Sequence, residues 1–200
     1  MLPRLFHIPV MDDRYVGIAI GILWLAWLSY WWFSARDVKP TRTIETGREQ
    51  VTYRIPLVLG ILCLSAPGLM PPVLHRRFVP PGTPWQVAGL VLLAAGLGFT
   101  VWARRHLGRN WSASVVVKED HALIQSGPYR RVRHPIYTGM LLGFLGTTIA
   151  VGEWRGLVGF VLVFVSFLLK SRREEARMAE TFPEYAEYRR HTAALIPGLY

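Results

Sequence analysis

Polar and apolar positions fall in blocks along this chain. Uncharged runs cover Tyr15 to Ala35, Ile55 to Leu74 and Pro84 to Ala103, each about 20 residues long, the length of helix that crosses roughly 30 Å of hydrocarbon. Two shorter runs follow, Pro135 to Gly152 and Gly156 to Leu169. At about 1.5 Å per residue the last reaches only about 21 Å, so it needs polar flanks that extend into the interface. The pattern predicts an all-α fold, a polytopic integral membrane helical bundle with about five transmembrane helices. A signal peptide is the competing reading of the first run, but its apolar stretch is too long for an h-region and four more apolar segments follow, so a transmembrane span is expected. The loop from Gly152 to Arg155 is short enough to force the last two helices into an antiparallel hairpin.

Finer features shape these spans. Thr83-Pro84 reads as an N-cap followed by proline at the first helical position. Pro56, Pro67, Pro71 and Pro72 predict a kinked or frayed second span. Tyr30 to Phe33 read as an interfacial aromatic belt. Gly17/Gly21 and Gly139/Gly143 have the spacing that lets helices touch. In the polar stretch 106–134, Val115 to Val117 and Ala122 to Ile124 flank Lys118-Glu119-Asp120 and suggest a hairpin. In the tail, Phe182, Tyr185 and Tyr188 recur at three-residue spacing, an amphipathic face suited to lying on the membrane or capping a site.

Charge then adds an orientation. Net charge is +10, with 23 Lys and Arg. With five spans, only Arg4, Arg14, Arg76, Arg77 and Arg155 share the side of the N-terminus, and the other 18 lie opposite. The positive-inside bias therefore predicts an N-terminus outside and a cytoplasmic C-terminus, in a cell inner membrane. Basicity placed this way serves topology and attraction to anionic lipid, not nucleic acid. Cys63, the single cysteine, forms no internal disulfide, and no metal-ligand spacing such as Cys-x-x-Cys or His-Glu-x-x-His occurs.

Polar clusters converge on the cytoplasmic end of the last two spans. The hairpin brings His134 and Tyr137, at the start of one span, close to Glu174 and Glu175, beyond the end of the other. Acid and imidazole at one membrane depth beside apolar walls suit an amphipathic ligand. Arg130, Arg131 and Arg133 read as topogenic in part, with at least one facing lipid phosphate. A glycine-rich nucleotide turn after a strand is missing, since Gly96 and Gly98 lie inside a span.

"GPYRRVRHPIYTG" at residues 127–139 and, after the hairpin, "REEARMAETFPEYAEYRR" resemble the isoprenylcysteine carboxyl methyltransferase family, to which membrane phospholipid methyltransferases are related. The resemblance covers roughly residues 106–197; the first three spans match in hydrophobicity only. It implies a division into a membrane scaffold of three transmembrane helices, residues 1–105, and a methyltransferase region, residues 106–200, with a cytoplasmic cofactor-binding end. It implies S-adenosylmethionine as cofactor, bound by His121, Ala122, Leu123, Ile124, Tyr129, His134, Pro135, Ile136, Tyr137 and Glu174. A carboxylate and aromatic faces suit a sulfonium, an ammonium and ribose hydroxyls.

The family also places a basic residue before the acidic pair to hold a substrate carboxylate. "KSRREE" offers Lys170, Arg172 or Arg173: helical spacing favours Lys170, and fork geometry favours an arginine. The expected reaction is methylation of the carboxylate of an isoprenylcysteine-like or other lipophilic substrate arriving from the bilayer. A phospholipid amine or a small thiol are alternative acceptors, and an NADPH-dependent membrane reductase is a further alternative. An amine acceptor has to lose a proton, with His134 the nearest base. Gly139 and Gly143 are expected to thin their helix enough for a lipid chain to pass sideways.

Overall fold

The computed structural model describes residues 11–36, 41–44, 47–108, 111, 116–118 and 123–198. The helices are α1 (Asp13–Ser34), α2 (Gly47–Ser65), α3 (Thr83–Leu107), α4 (Pro135–Val151), α5 (Trp154–Thr181) and α6 (Tyr185–His191). Three of them, α1, α3 and α5, are long and apolar enough to cross a membrane; α4 and the Gln50–Ser65 part of α2 are shorter apolar helices. Their outward faces stay apolar too, with Ile22, Leu25, Val58 and Val91 exposed, as hydrocarbon solvent permits.

Boundaries follow local chemistry. The Asp12 side chain accepts from the Arg14 N–H at 2.8 Å and caps α1. Helix α2 runs through Pro56 and stops at Ser65, well short of Leu74, because Pro67 and Pro72 each start a 3-10 turn. Gly82, not Thr83, is the N-cap of α3; the Thr83 hydroxyl accepts instead from the Met11 N–H. Helix α4 starts with Pro135 at its first position and ends at Gly152, whose φ of 71° closes the turn into α5. The expected hairpin of the last two spans is present.

Two helix pairs are in backbone contact. A Cβ on Gly96 would lie 2.5 Å from Gly143 N and 2.6 Å from Gly139 O; one on Gly89 would lie 2.6 Å from Gly146 O. Helices α3 and α4 are thus joined along a glycine seam. Gly60 and Gly159 do the same for α2 and α5, each Cβ falling 2.7 Å from the other's carbonyl oxygen. Gly139 and Gly143 therefore leave no lateral passage: α3 and the side chains of Leu97 and Leu93 fill the space they open. Gly17 and Gly21 face open space. Between the pairs, Leu141 and Phe144 of α4 pack with Val163 and Phe167 of α5. Trp24 and Trp27 of α1 donate to Thr147 and Thr100 at 3.1 and 2.5 Å, fastening α1 to the α3–α4 pair.

Connections gather at two ends. At one, Arg77 reaches Asp13 at 3.6 Å, His75 reaches Glu153 at 3.3 Å, and Arg155 donates to the last carbonyls of α2. At the other, strand β1 (Thr41–Ile44) pairs antiparallel with β2 (Val116–Lys118), so the α1–α2 connection supplies a partner to this strand; residues 119–122 of the expected hairpin lie outside the described residues. The C-terminal segment also returns to this end: Arg133 N donates to Ala193 O and His134 N to Ala194 O. These are amide groups that the start of α4 leaves open. Ala194 and Leu195 enter the core behind them.

Candidate functional site

Helix α5 does not stop where its apolar run stops. It continues from Leu169 through Thr181, carrying Lys170, Glu174 and Glu175 past the greasy segment and opposite the start of α4. His134, the N-cap of α4, stands between the two acids. Its Nδ1 lies 3.3 Å from Glu174 Oε2 and its Nε2 lies 3.2 Å from Glu175 Oε1. One helical turn on, the Tyr137 hydroxyl donates to Glu174 Oε1 at 2.6 Å. The Tyr137 ring is stacked with His134 at 5.6 Å and with Phe167 at 4.9 Å. Lys170 places its ammonium 5.5 Å from the Tyr137 ring and 5.6 Å from that of Tyr53 on α2.

The two carboxylates have different jobs. Glu175 is 7% exposed and takes a hydrogen bond from Arg133 Nε at 2.8 Å, an arginine 4% exposed. Arg133 also donates to the backbone carbonyls of Thr192 and Arg189, so the pair ties the chain's end to α4 and α5. Glu174, at 21% exposed, is the more accessible of the two acids. Burial opposes charge on His134, but the hydrogen bonds it donates to Glu174 and Glu175, with their negative charges, outweigh it and raise its pKa. With both ring nitrogens turned to carboxylates, His134 is a donor, not the free base an amine acceptor needs.

The remaining expected residues divide. Pro135 and Ile136 are buried at the start of α4. Tyr129 is buried in the turn Gly127–Arg130: its carbonyl accepts from the Tyr188 hydroxyl at 2.7 Å, and its ring stacks on His106. Burial, reinforced by Tyr188 and Glu174, pushes the Tyr129 hydroxyl pKa up. Ile124 is half-buried. Leu123 packs with Met178 against Phe182, Tyr185 and Tyr188. That aromatic face is therefore buried within the protein and does not lie on the membrane; Phe182 caps α5, and only Tyr185 and Tyr188 belong to α6. His121 and Ala122 lie outside the described residues. Of the three candidate cations, Lys170 reaches the Tyr137 ring of the cluster, Arg173 is half-buried and Arg172 is exposed. Of the three arginines of which at least one was expected to face lipid phosphate, Arg133 faces protein, while Arg130 and Arg131 are exposed. Tyr53 and Phe167 were missed: nothing in their spans marks them among other apolar and aromatic positions. Among the described residues, no group of three or more His, Cys, Asp or Glu is placed to hold a metal ion.

The sequence profile of the phospholipid methyltransferase family matches residues 85–185, from the first turn of α3 to the start of α6. The chain belongs to that family. The match includes all the residues of the His134–Glu174 cluster on α4 and α5. Relatives with other names are similar over a comparable share of the chain. The cobalt-zinc-cadmium resistance protein CzcN of Cupriavidus metallidurans is 35% identical over 58% of this chain and 54% of its own length. The protein-S-isoprenylcysteine O-methyltransferase of Schizosaccharomyces pombe is 32% identical over 56% of this chain and 50% of its own. The chain spans about half the length of the curated relatives it matches. Among solved structures, the eukaryotic intramembrane Ras methyltransferase ICMT is similar at a TM-score of 0.49 and 21% identity, over 78% of this chain and 55% of that one.

Proposed function

We propose that this membrane protein is an S-adenosylmethionine-dependent methyltransferase acting on the carboxylate of an isoprenylcysteine-like or other lipophilic acceptor. The observation that supports it best is Glu174, a partly exposed carboxylate held by Tyr137 and His134 beside the stacked rings of His134, Tyr137 and Phe167. That donor set fits the cofactor: one acid for an ammonium or ribose hydroxyls, and ring faces for a cation. Residues 106–200 form the methyltransferase region and 1–105 its scaffold, with the N-terminus outside and the site cytoplasmic. His121 to Ile124, Tyr129, His134 to Tyr137 and Glu174 are the proposed binding residues.

When bound, the cofactor supplies an electrophilic methyl group on a sulfonium. Tyr137 and His134 fix both oxygens of Glu174, so the acid is oriented before any ligand arrives. Lys170, one turn earlier on α5, holds the acceptor carboxylate at the interface. Phe167, stacked under Tyr137, walls the recess on the hydrocarbon side and excludes water. A carboxylate acceptor needs no general base, which agrees with a His134 whose nitrogens both face acids.

Binding of S-adenosylhomocysteine to the protein in nanodiscs, followed by calorimetry, tests the cofactor; Glu174→Ala should lose it, and NADPH should not bind. Radiolabelled methyl transfer into a farnesylcysteine analogue, a phospholipid extract and a small thiol then tests the acceptor. Lys170→Glu should raise KM for the analogue and leave S-adenosylhomocysteine affinity unchanged. Label found in phospholipid, with none in the analogue, would overturn the carboxylate reading.

A further inference from the structure

A second recess, of about 630 Å³, opens between the last turns of α3 and the segment leading into α4. None of the residues lining it belongs to the His134–Tyr137–Glu174 cluster. Phe99, Trp102 and Val132 give it apolar walls, and Arg130 and Arg131 give it a cationic one. Trp102 sits where the apolar run of α3 gives way to Arg104 and Arg105, the depth at which tryptophan anchors to an interface. Half of its surface is exposed. A smaller recess that also borders Trp102 is lined by Arg105. Arg130 and Arg131 are exposed, and neither is paired with a carboxylate among the described residues.

We propose that this recess is a binding site for one anionic phospholipid of the surrounding bilayer, its phosphate held by Arg130 and Arg131 and an acyl chain lying on Phe99 and Trp102. Paired guanidinium forks match phosphate oxygens, and the apolar wall continues into the exposed face of α3, where a soluble phosphate compound gains nothing. The charge selects the headgroup. An ethanolamine or choline ammonium would meet two arginines and, among the described lining residues, no acid, whereas a glycerol headgroup does not carry that penalty.

The site also explains why the arginines are split in role. Arg130 and Arg131 hold lipid on the outer side of a segment whose next residues, Arg133 and His134, build the inner cluster with Glu175 and Glu174. Gly127, with φ of 58°, starts this segment against the His106 ring, where a Cβ would lie 2.6 Å from Cε1. The lipid therefore grips a turn that is already fixed to the end of α3.

Native mass spectrometry of the detergent-solubilised protein, titrated with phosphatidylglycerol or phosphatidylcholine of equal chain length, tests the proposal. The wild type should retain phosphatidylglycerol in preference to phosphatidylcholine. R130Q/R131Q should weaken phosphatidylglycerol retention on the order of 25-fold, about fivefold per arginine, and abolish the preference. Trp102→Ala should weaken binding of long-chain phosphatidylglycerol more than of its dihexanoyl form. Glu174→Ala should leave all lipid retention unchanged, which separates this site from the proposed catalytic recess. Equal retention of both lipids by the wild type, or a preference that survives in R130Q/R131Q, overturns the proposal.

Discussion

Arg133→Met should cost the folded protein about 3 kcal/mol. Breaking a buried ion pair by removing one partner leaves the other charge uncompensated, typically a loss of about 3–5 kcal/mol. Here Glu175 keeps His134 Nε2 at 3.2 Å and Arg189 Nε at 3.8 Å, which places the cost at the lower end. The lost donations to Thr192 and Arg189 carbonyls add the release of the C-terminal segment from the start of α4. Denaturant unfolding in mixed micelles reads the stability, and proteolysis after Leu195 reads the release. Arg133→Met/Glu175→Met removes both charges, so it should be less destabilised than the sum of the single variants by at least about 1 kcal/mol. An Arg133→Met protein within about 0.5 kcal/mol of wild type, the spread of ordinary surface substitutions, would refute the reasoning, as would additivity in the double variant.

Stability should also depend on pH through His134. Its pKa is raised in the folded protein from an ordinary 6.5, so its contribution is complete below about pH 6.5 and is lost as pH climbs through the raised value. Melting temperatures should fall over that alkaline limb, and Glu174→Gln should move the fall to lower pH; a flat profile in the wild type contradicts it. Gly96→Ala should cost about 1–3 kcal/mol by forcing α3 from α4, while Gly98→Ala, with nothing within 4 Å of the new Cβ, should be neutral or stabilising. Equal melting temperatures for the two variants would remove the glycine seam from the account.

Much of the bundle was legible because hydrocarbon solvent writes itself into composition: an apolar run of about 20 residues has few other meanings. The Glu174–His134 meeting was legible too, since a loop as short as Gly152–Glu153 leaves the two helices no other arrangement. What stayed hidden depended on partners far away in sequence. Nothing in "RRVRH" separates Arg133, which turns inward to Glu175, from Arg130 and Arg131, which do not; the difference is made by the docking of Ala193 and Ala194. Gly139 and Gly143 showed a small-residue face, but only the facing Gly96 says that a helix fills it and not a lipid. Val116 and Val117 carried strand propensity, yet their partners, Ile44 and Thr43, lay far upstream, beyond the reach of a local hairpin rule.

The two glycine seams have a mechanical consequence for the recess. Backbone contact makes α3 and α4 one stiff leaf and α2 and α5 another, joined at the spine by the Gly152–Glu153 turn and along their faces by Leu141 and Phe144 against Val163 and Phe167. His134 and Tyr137 are printed on the first leaf, while Glu174, Lys170 and Tyr53 are printed on the second. The 2.6 Å bond from Tyr137 to Glu174 is therefore one clasp at the open edge of the book, beside those from His134 and Arg133 to Glu174 and Glu175. Any parting of the leaves is felt first and most strongly there, at the end farthest from the spine, and it unmakes the orientation of the acid before it disturbs either seam.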